Sequence, residues 1–565
     1  MSTASPEHPT WWKEATVYQI YPRSFKDSNG DGLGDIPGII EKLDYLSTLG
    51  INVIWLSPHF DSPNVDNGYD IRDYRKVLKE FGSMADFDQL LSEMKQRDMR
   101  LVIDLVVNHS SDEHEWFEQS RQSKDNPYRD FYIWRDGNSD GGPPNNYASF
   151  FSGSAWSKDD RTGQYYLHYF AAKQPDLNWE NPSVREEVYS LMKFWLDKGV
   201  AGFRMDVIPL ISKQPDMPEL TPEQLHAPEY AYANGPHLHD YLQEMNREVL
   251  SKYDVMTVGE AFGITYAETP ALVGRDRNEL NMIFHFDLVR LDRDGWRKTE
   301  WTLPELKEIN RNIYEADYGE GGWGTTFLTN HDNPRAVSHF GNDSAEWREL
   351  SAKALATMMF TLKGTPYVYQ GDELGMTNFP LERIDDYQDI EVKRAWQEEV
   401  VSGQVSAEEF LESYAQTSRD NARTPMQWSA EPQAGFTTAD TPWFAVNPNY
   451  RDINAEHQQD NPHSVYHFYR QLIALRRATP ALIYGDYHDL APQDPNVYSY
   501  TRALGDQRYM VAINFTEEEQ EAALPSGASV VSVSLSNYPD EQSPQQDAQV
   551  IQLQPWQAVV VTISA

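Results

Sequence analysis

Apolar and polar positions alternate in two rhythms along roughly the first 370 residues. Short apolar runs such as Val17–Tyr21, Val53–Leu56 and Leu101–Val107 are typical of strands. Between these runs, over Gly38–Leu49 and Phe87–Met94, apolar residues recur with helical spacing. The third run is apolar around a single Asp, as expected for a parallel strand covered on both faces. The alternation therefore predicts β/α units that build a parallel sheet.

Units of the same kind follow later in the chain. We predict a helix over Val184–Lys198 and five further strands, at Ala201–Met205, Val255–Val258, Met282–Phe286, Thr326–Leu328 and Pro366–Tyr369. About eight units result, so the predicted fold class is α/β with a closed (β/α)8 TIM barrel. An open doubly wound sheet is the competing interpretation. No G-x-G-x-x-G motif follows the first strand, so a dinucleotide-binding fold has no support.

Two segments break this rhythm. Residues 108–179 are rich in Gly, Asn, Ser and aromatic residues and are too long for a simple loop, which predicts a small domain inserted after strand three. From about residue 482, short alternating runs predict a C-terminal all-β domain. The predicted organisation is a first part of the barrel at 1–107, the inserted domain B at 108–179, a second part of the barrel at 180–481 and the β domain at 482–565.

Composition excludes several classes of protein. The 565 residues carry a net charge of −39, which disfavours binding to nucleic acid or to anionic lipid. Without cysteine there is no disulfide, thiolate nucleophile or Cys-based metal site. The N-terminus lacks a basic and apolar leader, and no stretch is long enough for a membrane span. We therefore expect a cytoplasmic protein with a small-molecule substrate, as a monomer or weak homo-oligomer.

Carboxylate, histidine or arginine side chains lie at the ends of four of the apolar runs. In a barrel the strands end at one mouth, where catalytic groups gather. A single carboxylate at a strand end is well explained as a cap for the next helix, but four such sites in succession are not. The sites are DLVVNH from Asp104 to His109, GFRMDV with Arg204 and Asp206, TVGEAFG with Glu260, and LTNHDNPR with His331 and Asp332.

Several carboxylates, with no thiol and no Gly-Ser nucleophile elbow, favour glycoside hydrolysis. One carboxylate must stay ionised to attack the anomeric carbon, and Arg204 is placed to keep Asp206 charged. The other must be protonated to release the leaving oxygen. The apolar neighbours of Glu260 are expected to raise its pKa.

The same four segments, in this order, resemble the signature regions of the α-amylase superfamily, glycoside hydrolase family 13, and the resemblance covers nearly the whole chain. WWKEATVYQIYPRSFKDSNGDGLGD and SRDNARTPMQW are similar to its oligo-1,6-glucosidase and sucrose isomerase branch. The resemblance implies that Asp206 is the nucleophile, Glu260 the general acid/base and Asp332 the transition-state stabiliser. It also implies retention of anomeric configuration, with the carboxyl groups of Asp206 and Glu260 about 5–5.5 Å apart.

Further substrate-binding residues follow from the resemblance alone. It implies that Arg204 orients the nucleophile, that His109 and His331 bind the same sugar ring, and that Asp66 and Tyr69 bind the non-reducing glucose. Arg419 would pair with Asp66, which closes the pocket and implies exo-action. The pocket wall would comprise Phe151, Phe170 and Gln174.

The segment DSNGDGLGD predicts a metal loop. Oxygen-bearing side chains alternate along it, as in a Ca²⁺ loop, although Gly38 stands where an EF-hand has its bidentate Glu. The branch named above carries a metal in this loop, so the resemblance implies a structural Ca²⁺, with Mg²⁺ as the alternative. The ligands would be Asp27, Asn29, Asp31, Asp35 and the carbonyl of Leu33.

Two motifs give conflicting indications about the substrate. Val207 after the nucleophile resembles enzymes that prefer α-1,6 bonds, which points to isomaltose and isomaltooligosaccharides. Phe262 and Phe286 resemble an acceptor-side clamp of sucrose isomerases, and Arg290–Asp294 resembles a motif of isomaltulose-forming enzymes. We expect an exo-acting α-glucosidase, with a sucrose isomerase making isomaltulose or trehalulose as the alternative. A non-catalytic amylase-like transporter subunit is disfavoured, because all three carboxylates are kept.

Overall fold

The computed structural model describes residues 10–538 and 549–564. Residues 1–9, on which the expectation about a leader partly rests, lie outside the described part. Within that part, no helix combines the length and the apolar character that a membrane crossing requires.

Eight parallel strands form the barrel, which confirms the predicted fold class. They are β1 Val17–Ile20, β2 Val53–Leu56, β3 Arg100–Leu105, β4 Gly202–Met205, β5 Met256–Glu260, β6 Met282–Phe284, β7 Thr325–Thr326 and β8 Thr365–Tyr369. The ladder runs β6-β5-β4-β3-β2-β1-β8-β7. Between β6 and β7, the Thr325 hydroxyl donates to the Ile283 carbonyl at 2.9 Å, so these two strands lie side by side and the sheet closes.

Helices follow the strands and cover the outside of the barrel. The longest, Pro182–Lys198, starts at the Asn181 cap with proline in its first turn and ends at Gly199, which adopts φ +111°. The others are Ile36–Glu41, Leu43–Leu49, Met84–Gln96, Glu115–Ser120, Pro222–His226, Glu229–Tyr232, Leu238–Glu248, Thr269–Val273, Leu303–Tyr318, Ala336–Phe340, Arg348–Thr361, Ile390–Ala395, Ala407–Thr417, Asp420–Arg423, Ala455–Asp460, Val465–Ala478 and Pro480–Tyr484.

The first predicted helix, Gly38–Leu49, is in fact two helices. They meet at Lys42, whose backbone (φ −104°, ψ 4°) leaves the helical region. Its ammonium lies 4.3 Å from the centre of the Trp428 ring. Hydrophobic spacing alone does not detect such a break, because both segments keep their apolar face toward the same core.

Between β3 and the long helix, a three-stranded antiparallel sheet stands beside the barrel mouth. Its strands are Trp134–Arg135, Tyr165–Leu167 and Trp156–Lys158, in that spatial order. A β-bridge between His109 and Asp176 ties this segment back to the end of β3. Side chains of the segment therefore reach the mouth of the barrel.

The C-terminal part is all-β, as predicted. Its strands are β9 Asp486–Asp489, β10 Val497–Leu504, β11 Gln507–Asn514, β12 Gln520–Ala523, β13 Val530–Ser536, β14 Val550–Leu553 and β15 Ala558–Ile563. Five pair in the order β9-β10-β11-β15-β13, and β12 pairs with β14. The Lys307 ammonium, on a barrel helix, donates to the carbonyls of Ala491, Asp494 and Val497 at 2.7–2.8 Å, which fastens the β domain to the barrel.

Candidate active site

The parallel strands bring their carboxyl-terminal residues to one mouth. Asp104 lies within β3, Asp206 directly follows β4, and Glu260 is the last residue of β5. Asp332 lies in the loop after β7. Four carboxyl groups that are far apart in sequence therefore surround one opening, as the strand ends predict.

A single guanidinium joins three of these carboxyl groups. Arg204 Nη1 donates to Asp104 Oδ1 and to Asp206 Oδ1, both at 2.6 Å, and Nη2 donates to Glu260 Oε2 at 2.7 Å. Arg204 is 2% exposed, so these charge-assisted bonds are shielded from water. The position and protonation of Asp206 and Glu260 are consequently coupled through one side chain.

Burial dominates the pKa of both carboxyl groups. It raises the pKa of Asp206 to about 6, although Arg204 acts in the opposite direction. Burial also raises the pKa of Glu260 to about 7, again against the effect of Arg204. The guanidinium thus favours the charged form, as the sequence indicates, but burial outweighs it. Between these values Asp206 is mostly ionised and Glu260 mostly protonated.

The residue after Asp206 has a strained backbone. Val207 adopts φ +34° and ψ +39°, a left-handed conformation that β-branched residues rarely tolerate. Such strain costs on the order of 1–3 kcal/mol and persists only where the surroundings enforce it. In this conformation the Val207 N–H donates to Glu260 Oε2 at 3.0 Å. The Val207 backbone therefore fixes the second carboxyl group.

His331 is held in one orientation by three neighbours. Gln19 Nε2 lies 2.8 Å from His331 Nδ1 and also donates to the Ser57 hydroxyl. His331 Nε2 lies 2.6 Å from the Tyr69 hydroxyl and 3.0 Å from Asp332 Oδ2. The Tyr69 and His331 rings stack at 5.3 Å. Gln19 has no motif of its own, so the sequence did not reveal it.

Two arginines reach Asp332. Arg423 Nη2 donates to Asp332 Oδ1 at 2.6 Å, and Arg419 Nη1 lies 3.4 Å from the same oxygen. Burial raises the pKa of Asp332, but His331 and the two guanidinium groups outweigh it and hold that pKa well below its usual range. Sequence reasoning missed Arg423. Its position four residues after Arg419, on one helical face, was an available signal.

The residues predicted to close the pocket lie together, with an additional partner. Gln174 Nε2 donates to Asp66 Oδ2 at 3.1 Å and lies 3.3 Å from His109 Nε2. Arg419 Nη2 is 3.9 Å from Asp66 Oδ1. The same Nη2 and the Nε of Arg419 both donate to the Asp389 carboxylate, Nε at 2.7 Å. Asp389, which the sequence did not indicate, therefore orients Arg419. Burial raises the pKa of Asp66 to about 7.

Aromatic rings line two sides of the opening. Phe151 packs against Phe170 at 5.6 Å and under the Arg419 guanidinium at 5.3 Å, beside the closed end. On the other side, Phe262 and Phe286 meet edge-on at 5.9 Å. There the guanidinium of Arg290 lies 5.1 and 5.0 Å from the centres of these two rings.

The loop predicted to hold a metal is a chain of turns closed by side-chain oxygens. Asp27 Oδ1 accepts the N–H of Asn29 at 2.9 Å, Asn29 Oδ1 that of Asp31, and Asp31 Oδ1 that of Leu33. Asp35 instead caps the helix that begins at Ile36. The donors are all oxygen, as a hard cation requires. In the part of the chain described, however, no three His, Asp or Glu side chains gather around an ion-sized point.

Comparison with known proteins finds relatives over nearly the whole chain. Residues 19–485 match the α-amylase catalytic domain, and residues 497–560 match the C-terminal domain of the α-amylase SusG. The oligo-1,6-glucosidase of Parageobacillus thermoglucosidasius is 52% identical over 563 residues, covering 98% of this chain and 99% of that protein. The glucan 1,6-alpha-glucosidase of Streptococcus pneumoniae serotype 4 is 46% identical over 559 residues, covering 98% and 99%.

Solved structures of sucrose-converting enzymes are equally similar. The isomaltulose synthase of Erwinia rhapontici NX5 superposes with a TM-score of 0.97 at 55% identity, covering 99% of this chain and 100% of that one. A mutant of that enzyme is solved with its natural substrate sucrose. The isomaltulose synthase SmuA of Protaminobacter rubrum gives a TM-score of 0.97 at 54% identity, with coverage of 99% and 100%.

The shared guanidinium predicts a pH-dependent effect of Arg204→Gln on stability. Burial raises the pKa values of Asp104 to about 6, Asp206 to about 6 and Glu260 to about 7, above their unfolded values. The folded state therefore binds more protons than the unfolded state, and stability falls as pH rises through this range. Without the cation the carboxyl pKa values rise further. Arg204→Gln should then lower the free energy of unfolding by about 3–5 kcal/mol at pH 8 and by less at pH 5.

Differential scanning calorimetry between pH 5 and pH 8 checks this expectation. Arg508→Gln, at an exposed position in the β domain, is the matched control. Parallel curves of Tm against pH for Arg204→Gln and the wild type would show that Arg204 does not offset these charges.

Proposed function

Since the chain belongs to the α-amylase family, glycoside hydrolase family 13, and is a glycoside hydrolase acting on a small sugar substrate, we propose that it is a retaining, exo-acting α-glucosidase that removes terminal glucose from α-1,6-linked oligosaccharides. The observation that carries the proposal is the Arg204 guanidinium bound to both Asp206 and Glu260. It gives two adjacent carboxyl groups of different pKa, as a two-step displacement needs.

In the first step, Asp206 attacks the anomeric carbon of the terminal glucose. The bond from that carbon to the leaving oxygen breaks, a bond to Asp206 forms, and Glu260 gives its proton to the leaving oxygen. In the second step, Glu260 takes a proton from water, whose oxygen displaces Asp206 and restores the carboxylate. Asp332, kept ionised by Arg419 and Arg423, accepts hydrogen bonds from the sugar hydroxyls and stabilises the positive charge at the reacting carbon.

Exo-action is supported by the closed end of the pocket. Asp66, Gln174 and Arg419 converge there, and Phe151 packs against Arg419. This group would bind the hydroxyls of the non-reducing glucose and would stop the chain from extending past it. The substrate would thus present a terminal unit rather than an internal bond.

Preference for the α-1,6 bond is supported by Val207 and by the relatives. Val207 lines the same apolar cluster as the nearby Phe262. Oligo-1,6-glucosidases are about half identical over nearly the entire chain. Together these observations favour isomaltose and isomaltooligosaccharides.

Sucrose isomerisation is the second candidate. The Phe262–Phe286 pair, with the Arg290 guanidinium near both rings, would lie on the acceptor side, where a released fructose could be retained. Both reactions would share the glucosyl–Asp206 intermediate and differ only in whether water or the retained sugar attacks it.

A cytoplasmic location and a monomeric or weakly oligomeric state stay predictions from the sequence.

A structural Ca²⁺ in the Asp27–Asp35 loop completes the proposal, with Mg²⁺ as the alternative. Asp27, Asn29, Asp31, Asp35 and the Leu33 carbonyl would hold it. The donor chemistry supports the ion, and Asp27 is 2% exposed. A bound cation would draw the loop carboxylates together and rigidify the turn after β1. It takes no part in the reaction.

Product analysis tests the proposed reaction. Isomaltose should be converted to glucose with a kcat/KM at least about tenfold above that for maltose, because Val207 and the oligo-1,6-glucosidase relatives favour the α-1,6 linkage. Sucrose should yield neither isomaltulose nor trehalulose. Asp206→Asn should lower kcat at least about a thousandfold on every substrate. Accumulation of isomaltulose from sucrose would replace the hydrolase by the isomerase.

Elemental analysis and chelation test the metal. Purified protein should contain about one Ca²⁺ per chain, and chelation should lower Tm by roughly 5–10 °C because the ion binds only the folded loop. Asp27→Asn should lose the ion and become insensitive to chelator. Absence of Ca²⁺ and Mg²⁺ from native preparations, together with an unchanged Tm after chelation, would reject the site.

A further inference from the structure

A groove of about 320 Å³ borders the Phe262–Phe286 pair. The polar and aromatic residues that line it are Glu229, Tyr230, Phe262, Phe286, Asp287 and Arg290. None of the functions assigned above uses Tyr230 or Asp287. The groove is large compared with the space needed by a few water molecules, so it has room for part of a ligand.

The groove lies on the leaving-group side of the reaction. Ala261 and Phe262 directly follow Glu260, and both line the groove. In the proposed mechanism Glu260 faces the oxygen of the leaving group. The opposite end of the pocket is closed by Asp66 and Arg419. The remainder of an oligosaccharide would then extend past Phe262 toward this groove.

Tyr230 is unusual for its exposure. It is 58% exposed. Among the described residues, three large hydrophobic side chains are exposed, and Tyr230 is the aromatic one; the other two are Val401 and Val531. It belongs to the short helix Glu229–Tyr232, whose last residue, Tyr232, stacks on Tyr169 with ring centres 4.2 Å apart. A phenol ring held open to solvent in a groove is a surface on which the apolar face of a sugar ring can stack.

Charged groups flank this ring. Arg290 Nη1 lies 3.6 Å from Glu229 Oε1, and Asp287 lines the same groove. Carboxylates and a guanidinium around an aromatic ring supply acceptors and donors for sugar hydroxyls. The combination is typical of a carbohydrate subsite and would serve poorly for an apolar ligand.

We propose that Tyr230 forms a distal sugar-binding subsite that holds the glucosyl unit beyond the acceptor ring. The enzyme should then use isomaltotriose and longer isomaltooligosaccharides better than isomaltose. This inference rests on the proposed function, since it assumes that the leaving group is an α-1,6-linked oligosaccharide.

The test is the ratio of kcat/KM for isomaltotriose to kcat/KM for isomaltose. Tyr230→Ala should lower this ratio by about threefold to tenfold through KM, because one stacking contact is lost. Tyr230→Trp should restore it. Val531→Ala, at a similarly exposed position in the β domain, should leave the ratio unchanged. An unchanged ratio in Tyr230→Ala would overturn the subsite, and so would an equal loss in Val531→Ala.

Calorimetric binding separates this inference from the proposed function. In an Asp206→Asn background, isomaltotriose should bind more tightly than isomaltose, and adding Tyr230→Ala should abolish the difference. If the wild type fails to hydrolyse isomaltose while this difference persists, the proposed reaction is wrong and the subsite stands. If isomaltose is hydrolysed and the two sugars bind equally, the subsite is wrong and the reaction stands.

Discussion

The chemistry of this protein depends on one buried guanidinium that is shared by three carboxyl groups. Arg204 supplies a single positive charge to Asp104, Asp206 and Glu260. Three carboxylates around one cation cannot all ionise at low cost in a site closed to water. The group therefore retains a proton near neutral pH. Glu260, whose pKa burial raises to about 7, is where that proton mainly resides. A proton donor beside an ionised nucleophile follows from charge and burial together.

The surroundings of Asp332 have the opposite balance of charge. There two guanidinium groups, from Arg419 and Arg423, surround Asp332 and keep it ionised. Asp389 binds the Arg419 fork from behind and so limits its freedom to approach Asp66. The carboxyl groups around Arg204 thus hold a proton that can be transferred, whereas Asp332 holds a fixed negative charge for sugar hydroxyls. The barrel makes this division possible, because its strand ends deliver each group separately.

Sequence patterns were sufficient for the barrel and for the residues that directly follow its strands. Asp206 and Glu260 are detectable because each ends an apolar run. Gln19 and Asp389 are not, because their roles arise from contacts hundreds or tens of residues away in the chain. The positive φ of Val207 is likewise invisible in the sequence, since it is imposed by the surrounding fold rather than by a local preference for that conformation. Long-range contacts decide these features, whereas periodicity reports only which face of an element is buried.

The pH dependence of kcat/KM tests the shared-proton arrangement most directly. Wild-type enzyme should give a bell-shaped profile, with an acid limb near pH 6 where Asp206 loses its proton and an alkaline limb near pH 7 where Glu260 loses its own. Glu260→Gln, assayed on α-glucosyl fluoride, whose leaving group needs little protonation, should keep the acid limb and lose the alkaline limb. An alkaline limb that persists in Glu260→Gln would contradict the assignment of the proton to Glu260.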